Sequence, residues 1–213
     1  MKKFIIVFMC LALSAVLLSG CGCDRNGAVD PTEATETVTE EATEAATGEE
    51  VELLPIEGSL DMIFSSGAGA WESHISLSPD GSFTGGYHDM DMGSSGEGYE
   101  ATVYESEFKG KFSNFSKLSD YAYSMTLETV ETEKEAGTEK IEDWDGVRVR
   151  VVASSALGIA DGTDFVLYLP ETPTAELDEE FLYWRPGFGE KGETLGCYGL
   201  YNIAGETGFF TYE

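Results

Sequence analysis

Apolar and polar residues alternate with a period of two through most of the chain after Ser59, the spacing of strands that bury one face and wet the other. In Trp71-Glu72-Ser73-His74-Ile75-Ser76-Leu77 the odd positions are mostly apolar and the even ones polar. Pro79-Asp80-Gly81 predicts a turn, because proline presets one φ angle and glycine supplies a left-handed one. Phe83, Gly85 and Tyr87 then mark a returning strand. From Val103 to Ser113 the pattern is clearest: Glu105, Glu107, Lys109 and Lys111 take one face, and Tyr104, Ser106, Phe108, Gly110 and Phe112 take the other. Charge on one side and aromatics on the other predict a strand at the boundary between core and water.

Further strands are predicted over Tyr121–Leu127, Val147–Val151, Phe165–Leu169, Leu195–Ile203 and Gly208–Tyr212. The polar stretch from Glu131 to Gly146, with Trp144 in it, reads as a long loop or an extended hairpin tip. One helix is predicted, with Thr172 as cap, Pro173 at its first position, and Leu177, Phe181 and Trp184 at i, i+4 and i+7 before Arg185-Pro186-Gly187 ends it. About eight sequential strands and one short helix make a mainly β domain, an antiparallel meander β-barrel, with a two-sheet β-sandwich as the alternative. In layout this resembles the calycin-like, lipocalin-type barrels. The segments Trp71-Glu-Ser-His-Ile-Ser-Leu-Ser-Pro-Asp-Gly-Ser-Phe83, Phe108-Lys-Gly-Lys-Phe112, Leu167-Tyr-Leu-Pro170 and Cys197-Tyr-Gly-Leu-Tyr-Asn202 resemble uncharacterised lipoproteins and surface proteins of anaerobic Gram-positive bacteria. That resemblance implies no known activity and no catalytic residues.

The N-terminus follows different rules. Lys2 and Lys3 precede an apolar run from Phe4 to Leu18, the plan of a signal peptide. At about 15 residues the run is shorter than the ~20 a spanning helix needs. Leu18-Ser19-Gly20-Cys21 resembles the lipobox of bacterial prolipoproteins. The resemblance implies cleavage after residue 20, lipid on Cys21, and display at the extracytoplasmic face of the cell membrane. Two acyl chains give stable anchoring where one gives only reversible binding. Residues 1–20 are thus expected to be a signal peptide, 21–58 a lipidated linker and 59–213 the barrel domain.

The linker is rich in Thr, Glu and Ala, as in Thr35-Glu36-Thr37-Val38-Thr39-Glu40-Glu41, and carries no aromatic residue. Its 11 acids against Arg25 repel one another and extend it, and it holds too little apolar surface to offset chain entropy. Of the chain's four cysteines, Cys10 leaves with the signal peptide and Cys21 takes lipid, so Cys23 and Cys197 remain, too few for a disulfide framework.

The full chain carries 40 acids against 12 bases, a net charge of −28. With 11 acids and 3 bases lying before Ser59, the domain keeps 29 against 9, a net −20. Such a surface repels phosphate backbones and excludes nucleic acid as a partner.

Catalytic signatures are absent from the sequence. His74 and His88 are the chain's two imidazoles, and His74 falls on the polar face of its strand. No nucleophile elbow, zinc helix motif or phosphate loop occurs. Gly187-Phe-Gly-Glu-Lys-Gly192 satisfies a dinucleotide-binding spacing but follows a helix end and leads into a strand, the reverse of the context that binds pyrophosphate. The pairs Asp89/Asp91 and Asp143/Asp145 could each reach one hard cation, though neither completes a calcium loop. No catalytic residue, metal site or cofactor is therefore assigned.

Trp71, Tyr87, Tyr104, Phe108 and Tyr123 fall on strand faces expected to point inward. They are the candidates to line a cavity for a small apolar or sugar-like ligand, since an eight-stranded barrel either fills its interior or holds one small molecule. The leading expectation is a non-enzymatic, membrane-anchored barrel that binds a ligand or an envelope protein. A structural envelope scaffold and a carboxylate-dependent hydrolase are the alternatives.

Overall fold

A computed structural model of the chain describes residues 48–67, 69–187 and 192–212. The signal segment 1–20, Cys21, Cys23, the linker up to residue 47 and most of the Gly187–Gly192 loop lie outside the described residues.

Among the described residues there are eleven strands: β1 (Glu49–Glu50), β2 (Leu60–Ser65), β3 (Trp71–Leu77), β4 (Ser82–Asp91), β5 (Ala101–Ser119), β6 (Ala122–Thr132), β7 (Glu139–Trp144), β8 (Val147–Ala153), β9 (Asp164–Tyr168), β10 (Gly199–Asn202) and β11 (Thr207–Thr211). Eight of them close a ring in the order β2-β3-β4-β5-β6-β9-β10-β11 and back to β2, every pairing antiparallel. Closure through Phe210 opposite Ile63 and Thr211 opposite Met62 decides for a barrel over a sandwich.

The membership of the ring differs from the sequence expectation in one exchange. Leu60–Ser65 belongs to the barrel, although Ile63 on its outer face interrupts the alternation of Met62 and Phe64. Val147–Ala153 does not: it runs parallel to β5 from Ala101 to Glu105, on the edge of β5 that β6 occupies further along. The polar stretch before it supplies β7, which pairs with β8 around Asp145-Gly146, both at positive φ. This hairpin is an extension of the wall, made possible because β5 is 19 residues long.

Strand alternation fills the interior. Phe112, Phe165, Phe209, Met62, Ile75, Leu77, Leu167 and Leu200 are all 0–1 % exposed and form one cluster. The Phe112 ring lies 4.9 Å from both Phe83, tilted, and Phe165, edge-on. At one end Leu54 and Ile56 close the barrel, held by Leu54 N–H donating to Pro79 O at 2.9 Å and Val51 N–H to Phe115 O at 3.0 Å. These two residues precede Ser59, so the packed core reaches back into the segment that composition alone groups with the linker. At the other end the stretch Ser155–Ile159, with Ala156 and Ile159 buried, plugs the mouth. Its carbonyls are collected by polar side chains from the wall: Ser73 Oγ donates to Leu157 O, Ser106 Oγ to Ser155 O and Asn202 Nδ2 to Gly158 O, at 2.9, 3.0 and 3.0 Å. Buried Ser73, Ser106 and Asn202 thus have partners, which is why the strands tolerate them.

The predicted helix is two pieces, a 3₁₀ turn at Thr174–Glu176 and α1 at Glu179–Tyr183. Thr172 caps neither. Its hydroxyl donates to Leu169 O at 2.7 Å and also reaches Tyr121 O, which ties the segment to the barrel wall instead. The segment lies over the outer face of β9, β10 and β11, where Phe181 meets Tyr168, Tyr201 and Phe210 at 4.7–5.2 Å. Gly199 and Gly208 make this approach possible: a β-carbon on either would stand 2.5 or 2.9 Å from the Phe181 ring.

Candidate functional site

Of the five aromatic candidates, Phe108 alone borders the recess on the outer wall of the barrel. Phe108 and Tyr123 are buried in the packed interior, with Phe108 edge-on to Phe83 at 6.5 Å. Trp71 packs at the plugged end, 4.9 Å from Phe64 and 6.1 Å from Trp184, whose indole N–H donates to Glu206 O. Tyr87 is half-buried against the core. Burial, reinforced by the charge of Asp89 and by Tyr104, raises its phenol above the ordinary range. Tyr104 lies next to Asp89 in register and is half-buried. All five sit on the inward or end-capping surface, as alternation predicts, and Trp71, Tyr87, Phe108 and Tyr123 pack into the core.

A recess lies outside the barrel. Where the strap around α1 covers β9–β11, the outer wall formed by β2 to β6 stays open, and it holds a trough of about 900 Å³. Its floor follows from the small residues that β3 and β4 turn outward. Ser76 faces Thr84, and His74 faces Gly86. In the next strand Glu107 stands beside Gly86, and Lys109 beside Thr84. Because Gly86 has no side chain, the imidazole of His74 and the carboxylate of Glu107 lean over it from either side: a β-carbon there would be 2.9 Å from His74 Cε1 and 3.2 Å from Glu107 Oε1. Asp61, Ile63 and Tyr212 form one wall, and Glu131 and Glu133 raise the other beyond β5.

Five carboxylates line this trough, those of Asp61, Glu72, Glu107, Glu131 and Glu133, against the single lysine Lys109. Lys109 Nζ lies 3.6 Å from Glu131, and both side chains are well exposed. The other four carboxylates have no lysine or arginine at ion-pair distance among the described residues. Sequence reasoning placed His74 on a wet face and stopped there. The signal it lacked was register, which brings His74, Gly86 and Glu107 into one row from three strands.

The paired aspartates serve turns. Asp91 Oδ1 accepts the N–H groups of Gly93 and Ser94, and Asp143 Oδ1 accepts that of Gly146. No group of three or more metal-ligating side chains occurs among the described residues, and no helix there is long and apolar enough to cross a membrane. The chain matches no family model, no curated protein and no solved structure.

Proposed function

We propose that this protein is a lipid-anchored binding protein of the extracytoplasmic membrane face, and that its ligand seats in the trough on the outer wall of the barrel. The observation that carries the reading is the contrast between a filled interior and an open recess of about 900 Å³, within the ~300–1,000 Å³ typical of small-molecule sites. Acid groups on both walls, Ile63 beside Asp61, and a floor of Ser76, Thr84 and Gly86 offer polar contacts around a partly apolar bed. The anchor rests on the resemblance of Leu18-Ser19-Gly20-Cys21 to a lipobox, and the acidic segment behind it suits a spacer. No reaction is assigned to the trough.

Two measurements test this together. Cells expressing the chain are labelled with a radioactive fatty acid, and intact cells are treated with an external protease. Label on the wild type, none on Cys21→Ala, and cleavage by the external protease support the anchor and its placement. An unlabelled chain protected inside the cell contradicts them.

A scaffold role is the second reading, favoured by one feature. Ile141, Trp144 and Val147 are exposed on the β7–β8 hairpin, with Met90 and Met92 exposed on and beside β4. Loss of a co-purifying envelope protein on Trp144→Ser, with trough ligands unaffected, would favour it.

A further inference from the structure

From the spacing of its charges we infer that the trough takes a linear aliphatic polycation, a chain of methylenes carrying two or more ammonium groups. The inference rests on the trough being the ligand site. It adds the ligand's chemical class.

Three features select that class. The first is the sign of the field: five carboxylates line the trough against Lys109, and Lys134, which stands beside Glu107 and Glu133, is paired with Glu105, in a domain of net charge −20. Anionic ligands are repelled and cations are drawn in.

The second is separation. Asp61 is on β2 and Glu107 on β5, with β3 and β4 between them. Three strand spacings of about 4.8 Å put the two walls roughly 14 Å apart at the backbone. One metal ion gathers its oxygens within about 2.6 Å, so a single divalent cation cannot bridge the walls. An extended triamine places its terminal ammonium groups on this scale.

The third is the floor. Between the walls β3 and β4 turn His74, Ser76, Thr84 and Gly86 outward, and Glu72 on β3 is the one trough carboxylate among them. A methylene stem loses little by lying over Ser76, Thr84 and Gly86, and Glu72 is the carboxylate between the walls for the middle ammonium of a triamine.

The test is calorimetric titration of the full-length chain, purified in a neutral detergent, with spermidine as the probe. Parallel titrations use a monoamine of equal length, calcium ion and a lysine-rich decapeptide, with the amide and Ile methyl spectra followed throughout. The expected result is one-to-one binding of spermidine, weakened about fivefold or more by Asp61→Asn and again by Glu107→Gln, in keeping with exposed charge pairs. Affinity should fall with added salt. Glu128→Gln, a carboxylate outside the trough, should leave it within twofold. The monoamine should bind at least tenfold more weakly.

Equal loss in Glu128→Gln overturns the inference, since it means a diffuse counter-ion atmosphere. Equal affinity for calcium overturns it as well, and so does binding of the peptide without spermidine. If spermidine does not bind and a neutral ligand instead moves the Ile63 and His74 signals, the polycation is wrong and the site survives. If spermidine binds with those signals unmoved, the site itself is wrong.

Discussion

The strap over β9–β11 offers a prediction whose size can be worked from packing alone. Phe181 is fully buried, with three aromatic rings at 4.7–5.2 Å. Phe181→Ala removes most of a buried ring, and large-to-small changes of this kind cost about 3–5 kcal/mol. Gly199→Ala adds one carbon 2.5 Å from Phe181 Cζ, while its next neighbours, on Leu195 and Phe210, are at 3.3 Å. Overpacking against a ring locked by its neighbours costs about 1–3 kcal/mol. The clash partner of the new methyl is mostly Phe181, so in the Phe181→Ala background the same change should be close to neutral. The double-mutant cycle should therefore return a coupling of at least about 1 kcal/mol, with the double variant more stable than the sum of the singles implies. Urea denaturation of the chain from residue 21 onward, carrying Cys21→Ser, measures all four corners. Additive effects would refute the packing of α1 on the outer wall, and so would a Phe181→Ala cost below about 1 kcal/mol.

Three further outcomes follow from other parts of the wall. Burial, assisted by the negative charge of Asp178, pushes the Tyr168 phenol from 10.0 up to about 12. The folded state keeps that proton between pH 10 and 12 while the unfolded state loses it, so stability is intact below pH 10 and falls across that window. Two pKa units set an upper bound near 2.7 kcal/mol, and partial exposure reduces this to about 1–2 kcal/mol; Tyr168→Phe should flatten the decline, measured by urea midpoints at pH 9 to 12. Asn202→Ala leaves the Gly205 N–H without its side-chain partner and Gly158 O with the Thr207 hydroxyl alone, so it should cost about 1–3 kcal/mol and speed proteolysis within residues 154–163. Leu54→Ala should lower stability by about 2–5 kcal/mol, because Leu54 is buried under the barrel; an unchanged melting curve would mean that the domain begins after it.

Period-two alternation carried the barrel because an amphipathic strand has one low-energy orientation against a core. The faces of Trp71–Leu77 and Val103–Ser113 are those the pattern predicts: Ile75, Leu77, Phe108 and Phe112 are buried, while His74, Glu107 and Lys109 are exposed. Alternation is silent on which strands are neighbours. Val147–Ala153 reads as strongly as any barrel strand, and its place outside the ring depends on the length of β5, which offers one edge to two partners. The helix was over-extended because Leu177, Phe181 and Trp184 keep helical spacing. Leu177 nonetheless has an extended backbone, which ends the 3₁₀ turn, and α1 starts anew after Asp178.

The trough was illegible for a similar reason. It is made of what is missing at Gly86 and of charges on four different elements, so its residues share no local motif. Conversely the inward aromatics were legible as a face, but a face cannot say whether the space before it is empty. Eight strands of this composition bring enough phenylalanine inward to fill it.

The central claim is that ligands meet this barrel on its outer wall. Methyl and amide spectra recorded against a panel of small cationic and neutral fragments address it directly. Binding fragments should move Ile63, His74 and Thr84 on the outside and leave Met125, Leu167 and Leu200 inside the barrel unchanged. Shifts concentrated on those three interior residues would contradict the account.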